Sequence, residues 1–402
     1  MYTKWILLAG KNIQTLVHEK YRIKKRRMFM KQNDIYIIHG TDYKDMTIRI
    51  LTEAGLEQEI GSRDKHIALK PNLLGTMTPE SGATTHPELV CGVIEYLQAH
   101  GFTHLTIMEG SWVGERTSRS FAALGYHAIS EKYGVPLVDL QKDEGVPCNA
   151  AGMKIEVCRK ALEADYIINM PVIKGHCQTL VTCALKNNKG LITNAEKRRF
   201  HTMGLHKPIA HLSTTVRNDF ILVDNICGDL DFEEGGNPVV MNRILALKDP
   251  VLCDAFVCDC LGISVDEVPY IRLAEQLGTG CADISKANLI LLNESSDTEY
   301  TQITGAKRSA PMSRRVKKLA GYTAPKDSCS ACYGSLIHAL NRLDEAGQLR
   351  PGMTPICIGQ GYKGQAGEIG VGSCTSCFSN SLKGCPPKAI DIVKFLEENW
   401  EL

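Results

Sequence analysis

The chain has 402 residues, 44% of them hydrophobic and 23% charged, with a formal net charge of +1. That length provides for two or three domains around a substantial core, and the composition is that of a globular protein. The near-neutral balance argues against a nucleic-acid or anionic-membrane surface, and no apolar run is long enough to span a bilayer.

Residues 1–32 read as a tail outside the fold. The run Trp5 to Gly10 is too short for a signal-peptide core and has no small-residue cleavage pattern after it. The basic stretch KYRIKKRR at 20–27 is a solvated tail or the product of an upstream start, with an RNA- or lipid-binding tail as the functional alternative. Without an export signal, the expected location is the cytoplasm.

From 33 to 295 short apolar runs alternate with amphipathic ones. Strands are expected at Ile35–His39, His66–Lys70, His104–Glu109, Pro136–Leu140, Tyr166–Met170, Phe220–Val223 and Asn288–Leu292. Helices are expected at Asp42–Ala54, Pro87–His100 and Ser118–Tyr133, Pro87 suiting a first helical turn and Gly101 a stop. This alternation predicts an α/β domain, a mainly parallel sheet with helices on both faces, whose ligand crevice lies beyond the carboxyl ends of the strands. A polar, basic stretch at 296–328 reads as a linker with a short helix. Residues 329–402 form a small segment rich in cysteine and glycine, bracketed by two helices.

Sixteen cysteines, ten between Cys91 and Cys281 and six between Cys329 and Cys385, are many for a reducing compartment. Clustered thiols there point to metal binding or catalysis. Cys329 and Cys332 form a C-x-x-C pair opening a helical pattern, Cys374 and Cys377 a second pair after a glycine-rich loop, and Cys385 precedes Pro386. A pair at a helix start lies at the positive end of the dipole, which favours thiolates, and glycines let backbone N–H groups approach inorganic sulfide. The pattern suits one 4Fe–4S cluster held by Cys329, Cys332, Cys374 and Cys385, with Cys377 as first substitute and Cys357 as a buried strand residue. A four-cysteine zinc site is the competing cofactor. Cys253, Cys258 and Cys260, on an apolar helical stretch, read as core packing.

A second constellation gathers cations at strand ends. Lys70 and Asn72 close one strand, and Lys174 and His176 another. A helix expected from Gln178 to Lys186 would place Thr179, Thr182 and Lys186 on one face, with Asn187 beyond and Gly190 as a cap. Lys70, Asn72, Lys186 and Asn187 are candidates to bind a small anionic substrate, and Lys174, His176 and His201 are candidate catalytic groups, the histidines as proton carriers near neutral pH. Lys197 to Arg199 read equally well as solvated surface. In Thr84-Thr85-His86-Pro87, which resembles a helix N-cap, His86 is either capping or ligand-facing. The G-x-G-x-x-G match at 359–364 lacks the following helix of a dinucleotide site, and no P-loop, HExxH or nucleophile-elbow pattern occurs.

The stretches LKPNLL (69–74), GATTHPELV (82–90), ADYIINMPVIKGH (164–176), TCALKNNKGLI (182–192), KRRFH (197–201) and GCPP (384–387) resemble the domain-of-unknown-function family 362, whose members often carry iron–sulfur ligands. The resemblance implies an α/β domain and a redox-linked role in anaerobes. The residues and the resemblance lead to an iron–sulfur oxidoreductase acting on a small anionic substrate at the strand ends, supplied by an electron-donor protein. A lyase or isomerase with a structural cluster, and an electron-transfer protein without its own substrate, are the alternatives.

Overall fold

Side chains that alternate along the apolar runs divide the core into two layers. Ile35 and Ile37 fall in one buried cluster and Tyr36 and Ile38 in the other, and Ala68 and Ile167 are likewise separated from Leu69 and Ile168. A strand buried on both faces in this way belongs to the middle of a covered sheet. The computed structural model describes residues 30–176, 178–230, 233, 238–293, 318–326, 328 and 330–400. The tail at 1–29, most of the expected linker, and Cys329 lie outside these residues.

The main sheet has eight strands in the order β12-β1-β11-β10-β7-β2-β3-β4. They are β1 (Asp34–His39), β2 (Ile67–Pro71), β3 (Leu105–Glu109), β4 (Leu137–Asp139), β7 (Tyr166–Met170), β10 (Phe220–Asp229), β11 (Pro238–Leu247) and β12 (Asn288–Leu291). The neighbours from β10 through β7, β2, β3 to β4 are parallel, as is β1 with β12, whereas β11 runs antiparallel to both β1 and β10. The sheet is therefore mainly parallel, as expected, with one reversed strand. That strand is a departure from the sequence reading. Its first half alternates exposed and half-buried residues, and it follows β10 by a hairpin rather than a helical crossover. Two smaller hairpins are added, β5 (Gly145–Ala150) with β6 (Met153–Cys158) and β8 (Lys174–His176) with β9 (Leu180–Thr182).

Helices α1 (Tyr43–Ala54) and α2 (Pro87–Ala99) lie where their periodicity places them, the first capped by the Asp42 carboxylate accepting from Asp45 N. The helix expected at 118–133 is interrupted by Gly125, whose φ of 74° ends α3 (Thr117–Ala123) and starts α4 (Tyr126–Tyr133). The helix expected from Gln178 does not form. Leu180–Thr182 pairs with Lys174–His176 instead, and helix begins only at α5 (Ala184–Asn187). There the Asp254 carboxylate accepts from Ala184 N at 2.7 Å and Leu185 N at 3.4 Å, satisfying amides that a longer helix would have bonded internally. Thr179, Thr182 and Lys186 thus do not share a helix face. Further helices are α6 (Asn194–Thr202), α7 (Pro250–Cys260) and α8 (Pro269–Gln276). Cys253, Cys258 and Cys260 are buried in the core cluster that α7 joins.

The C-terminal part has its own core. Strands β13 (Thr323–Pro325), β14 (Ile356–Ile358), β15 (Ile369–Val371) and β16 (Asn380–Leu382) form a parallel sheet in chain order. Leu336, Leu340 and Leu343 of α9 (Ser330–Glu345) and Ile392 and Leu396 of α10 (Ala389–Asn399) pack on it. The strand β13 falls within the stretch read as linker. No helix among the described residues is long and apolar enough to cross a membrane.

Candidate active site and thiol cavity

Parallel strands β2, β3 and β7 bring their carboxyl ends to one edge of the sheet, and β10 runs with them. A cleft of about 720 Å³ opens there, walled by the segments 72–74, 109–113, 182–190, 197–201 and Glu233. Its floor is a buried ion pair. Lys70 Nζ donates to Glu109 Oε2 at 2.7 Å, to Pro71 O at 2.8 Å and to Asn187 Oδ1 at 3.2 Å. The Glu109 carboxylate also accepts from Leu73 N at 3.1 Å and Gly110 N at 2.7 Å. A methyl group on Gly190 would lie 2.1 Å from Glu109 Oε1 and 2.5 Å from Lys70 Cε, so only glycine lets this turn close over the pair.

Amide side chains extend the floor. Lys174 Nζ donates to Asn72 Oδ1 at 2.7 Å and Ala83 O at 2.6 Å. Asn72 Nδ2 passes the chain to Asn187 Oδ1 at 2.9 Å, and Asn187 Nδ2 to Asn169 Oδ1 at 2.7 Å. Such linked dipoles hold one another in a single orientation. Of the sequence candidates, Asn72, Lys186, Asn187 and His201 line the cleft, whereas Lys70, Lys174 and His176 stand behind it. Lys70 has three acceptors for its three N–H groups, which makes it a buttress of the site rather than a contact for a ligand.

The histidines differ from expectation in their protonation. His176 Nδ1 accepts from Gln178 N and Thr179 N, both at 3.1 Å, so the ring proton resides on Nε2, 3.0 Å from Glu233 Oε2. Burial, then the Lys186 charge, lowers its pKa to about 4 against the pull of Glu233. His201 Nε2 lies 3.3 Å from Lys189 Nζ, and burial with that neighbouring cation brings its pKa to about 2. Neither ring is a proton carrier near neutrality. Desolvation and adjacent ammonium groups both penalise imidazolium.

Lys186 pairs with Glu233, a residue no sequence signal marked. Glu233 is held well below the ordinary carboxylate range; burial works against this, and Lys186, His176 and Lys174 overcome it. Lys197 is not solvated surface. It is 4% exposed, and its Nζ donates to Gly110 O at 2.8 Å and Ser111 O at 2.9 Å. Thr182 Oγ1, in the cleft wall, is buried without a hydrogen-bond partner among the described residues. His86 occupies the N-cap of α2 without a side-chain cap bond, its Nδ1 standing 2.8 Å from Asp224 Oδ2 instead.

A second cavity, about 970 Å³, lies between this edge and the C-terminal sheet. Cys332, Cys374 and Cys385 line it together with Gly359, Gly372 and Gly384, facing Trp112, Val113, Gly114 and Arg198. The Cys374 and Cys385 loops are tied by Ser373 N donating to Gly384 O at 2.8 Å and Gly384 N donating to Ser373 Oγ at 3.1 Å. A methyl group on Gly372, whose φ is 98°, would lie 3.8 Å from the Cys332 thiol. Cys357 and Cys377 do not line the cavity; the first is beside Tyr362 and the second is exposed. Among the described residues, the set of His, Cys, Asp or Glu whose donor atoms all lie within 4.8 Å is Cys183, Cys253 and Asp254. The cavity thiols are thus spread more widely than that. In the tight set the thiols are 3.7 Å apart, and the Asp254 oxygens already serve the start of α5 and the Tyr270 hydroxyl, 3.0 Å away.

Residues 67–259 match the family model "Domain of unknown function (DUF362)". A thylakoid-associated protein of Synechocystis, sll1697, is 24% identical over 226 residues, spanning 53% of this chain and 68% of that protein. Among solved structures, the lactate racemase apoprotein of Thermoanaerobacterium thermosaccharolyticum is similar with a TM-score of 0.36 and 15% identity, covering 60% of this chain and 59% of that one. The matched family region contains every residue of the strand-end cleft and none of the cavity thiols. Over these residues, a little under half of its length, the chain is similar to the DUF362 family.

Proposed function

We propose that the protein is an iron–sulfur oxidoreductase that binds a small anionic substrate in the strand-end cleft and a 4Fe–4S cluster in the adjoining thiol cavity. The observation that carries this reading is the shared wall. Trp112 and Val113 line both spaces, and the neighbours Lys197 and Arg198 face one each. A substrate in the cleft is then separated from the cavity by the thickness of a side chain.

Cys332, Cys374 and Cys385 would hold the cluster, with Cys329 as the fourth ligand, and the cluster would supply single electrons. The spacing of the described thiols supports a cluster over a single zinc ion. Tetrahedral zinc with bonds of about 2.3 Å draws its sulfurs to roughly 3.8 Å from one another, tighter than the spread of these thiols. Cys385 is exposed, which offers an electron-donor protein an approach. On the substrate side, Lys186, Lys189 and Lys197 outnumber Glu109 and Glu233 in the cleft wall, and Glu109 is already neutralised by Lys70. A buried excess of cations attracts carboxylate or phosphate.

Anoxic purification with iron and acid-labile sulfide analysis, followed by electron paramagnetic resonance before and after dithionite, tests the reading. A reducible cubane is expected. One zinc per chain and no sulfide would overturn it, and a cluster that stays redox-silent would move the protein to the lyase or isomerase class.

A further inference from the structure

Among the cations of the cleft, Lys197 has an unusual set of partners. Its two acceptors, Gly110 O and Ser111 O, are neutral carbonyls, and it forms no ion pair among the described residues. Gly110 must be glycine for this contact, because a methyl group there would stand 2.7 Å from Nζ. The charged and titratable groups that face the amine are Glu109 at the end of β3, Cys158 at the end of β6, Lys70 on β2 and Asp139 at the end of β4. Glu109 is committed to Lys70, so the nearest carboxylate does not fix a proton on Lys197.

We propose that Lys197 is the acid–base residue of the cleft, exchanging one proton with a small carboxylate-bearing substrate. The inference rests on the reading of the cleft as the substrate site. Its warrant is a count of N–H bonds. An ammonium has three, and the protein supplies two acceptors, leaving the third N–H for a ligand. When that N–H bond breaks and its proton joins a basic oxygen or carbon of the substrate, the remaining amine has two N–H groups, both still bonded to the carbonyls. Its lone pair takes the place of the lost proton, and the reverse transfer restores the ammonium. Neither state leaves a buried donor unsatisfied, so the site is prepared for both.

The energetics agree with the geometry. Burial lowers the Lys197 pKa to about 8 against the opposing pull of Glu109, Cys158 and Asp139, with Lys70 reinforcing the decrease. A group that titrates this close to neutrality transfers protons in either direction. The orphaned hydroxyl of Thr182, 2% exposed in the same wall, supplies a donor for the substrate's carboxylate.

The test is competitive trace acylation of the whole protein with its metal in place. Acetic anhydride is applied from about pH 6 to about pH 10, and peptide mass spectrometry compares Lys197 with the exposed Lys154. Lys197 acylation is expected to reach half its plateau near pH 8, below the range of an ordinary lysine. Saturating propionate or inorganic phosphate is expected to slow Lys197 labelling at least fivefold and leave Lys154 unaffected. A Lys197 profile that merely parallels that of Lys154, or no labelling at any pH, overturns the acid–base assignment even where anions protect. A half-point near pH 8 without protection by either anion instead overturns the cleft as an anion site.

Discussion

Glu109 and Lys70 meet at 2.7 Å under Gly190, the two side chains 3% and 0% exposed, at the point where strands β2 and β3 end side by side. The pair is almost wholly buried. Its worth to the fold depends on each partner's remaining lone pairs and protons being satisfied, and they are, by Pro71, Asn187, Leu73 and Gly110. Glu109→Gln or Lys70→Met leaves one buried charge alone and is expected to destabilise the protein by about 3–5 kcal/mol. Urea unfolding followed by circular dichroism reads this. The double change to Met and Leu is expected to recover part of the loss, and equal losses in single and double variants would contradict the account.

Gly190→Ala puts a methyl group into the same pair. With contacts of 2.1 and 2.5 Å to be relieved, a loss of about 1–3 kcal/mol or more is expected. Phosphate binding measured by calorimetry is expected to weaken too, because the turn that would shift also carries Lys186, Asn187 and Lys189. Unchanged stability would mean that the turn is free to move.

Thr182→Val should separate stability from binding. The hydroxyl is buried without a partner, so its removal is expected to leave stability unchanged or raise it by up to about 1 kcal/mol. If the hydroxyl serves a ligand, phosphate or propionate affinity should fall about fivefold to tenfold, the worth of one hydrogen bond. Lower stability together with unaltered anion affinity would assign Thr182 a structural bond instead.

The thiols make a sharper division. Cys374→Ser and Cys385→Ser are expected to lower the iron and sulfide content of anoxically purified protein by more than half, whereas Cys357→Ser and Cys377→Ser leave it unaltered. The latter two residues do not line the cavity. Loss of iron from the Cys377→Ser variant would shift the ligand set toward the second C-x-x-C pair.

Acid sensitivity follows from His176. Its folded pKa of about 4 lies below the ordinary value of about 6.5, so between those two pH values the unfolded chain binds a proton that the folded chain refuses. Stability from this group is complete above about pH 6.5 and is lost as pH falls toward 4, by an amount on the order of 1–3 kcal/mol. His176→Asn keeps an acceptor for the Gln178 and Thr179 amides and is expected to flatten the unfolding curve across that window. A slope identical to that of the parent protein would remove His176 as its cause.

Local regularities were legible in the sequence because they are periodic. Tyr166–Met170 is a strand with those bounds because its run is apolar on both faces, and α2 begins at Pro87 because proline is suited to a first turn. The strand-end rule likewise led to Asn72, Lys186 and Asn187. Strand β11 escaped notice because its outer half is partly exposed and its partner, β10, is identified only by folding. The expected helix after His176 failed because the choice between helix and hairpin was made by Asp254, seventy positions beyond Ala184.

By itself, the sequence determined the α/β alternation and the residue types gathered at the strand ends. Only the tertiary structure decided which of those residues face the cleft, which thiols share a cavity, that the two spaces share a wall, and how each group titrates. The physical reason is desolvation. A lysine or histidine carries the same chemistry in every sequence, but its charge depends on how much water and which other charges surround it, and distant segments supply both.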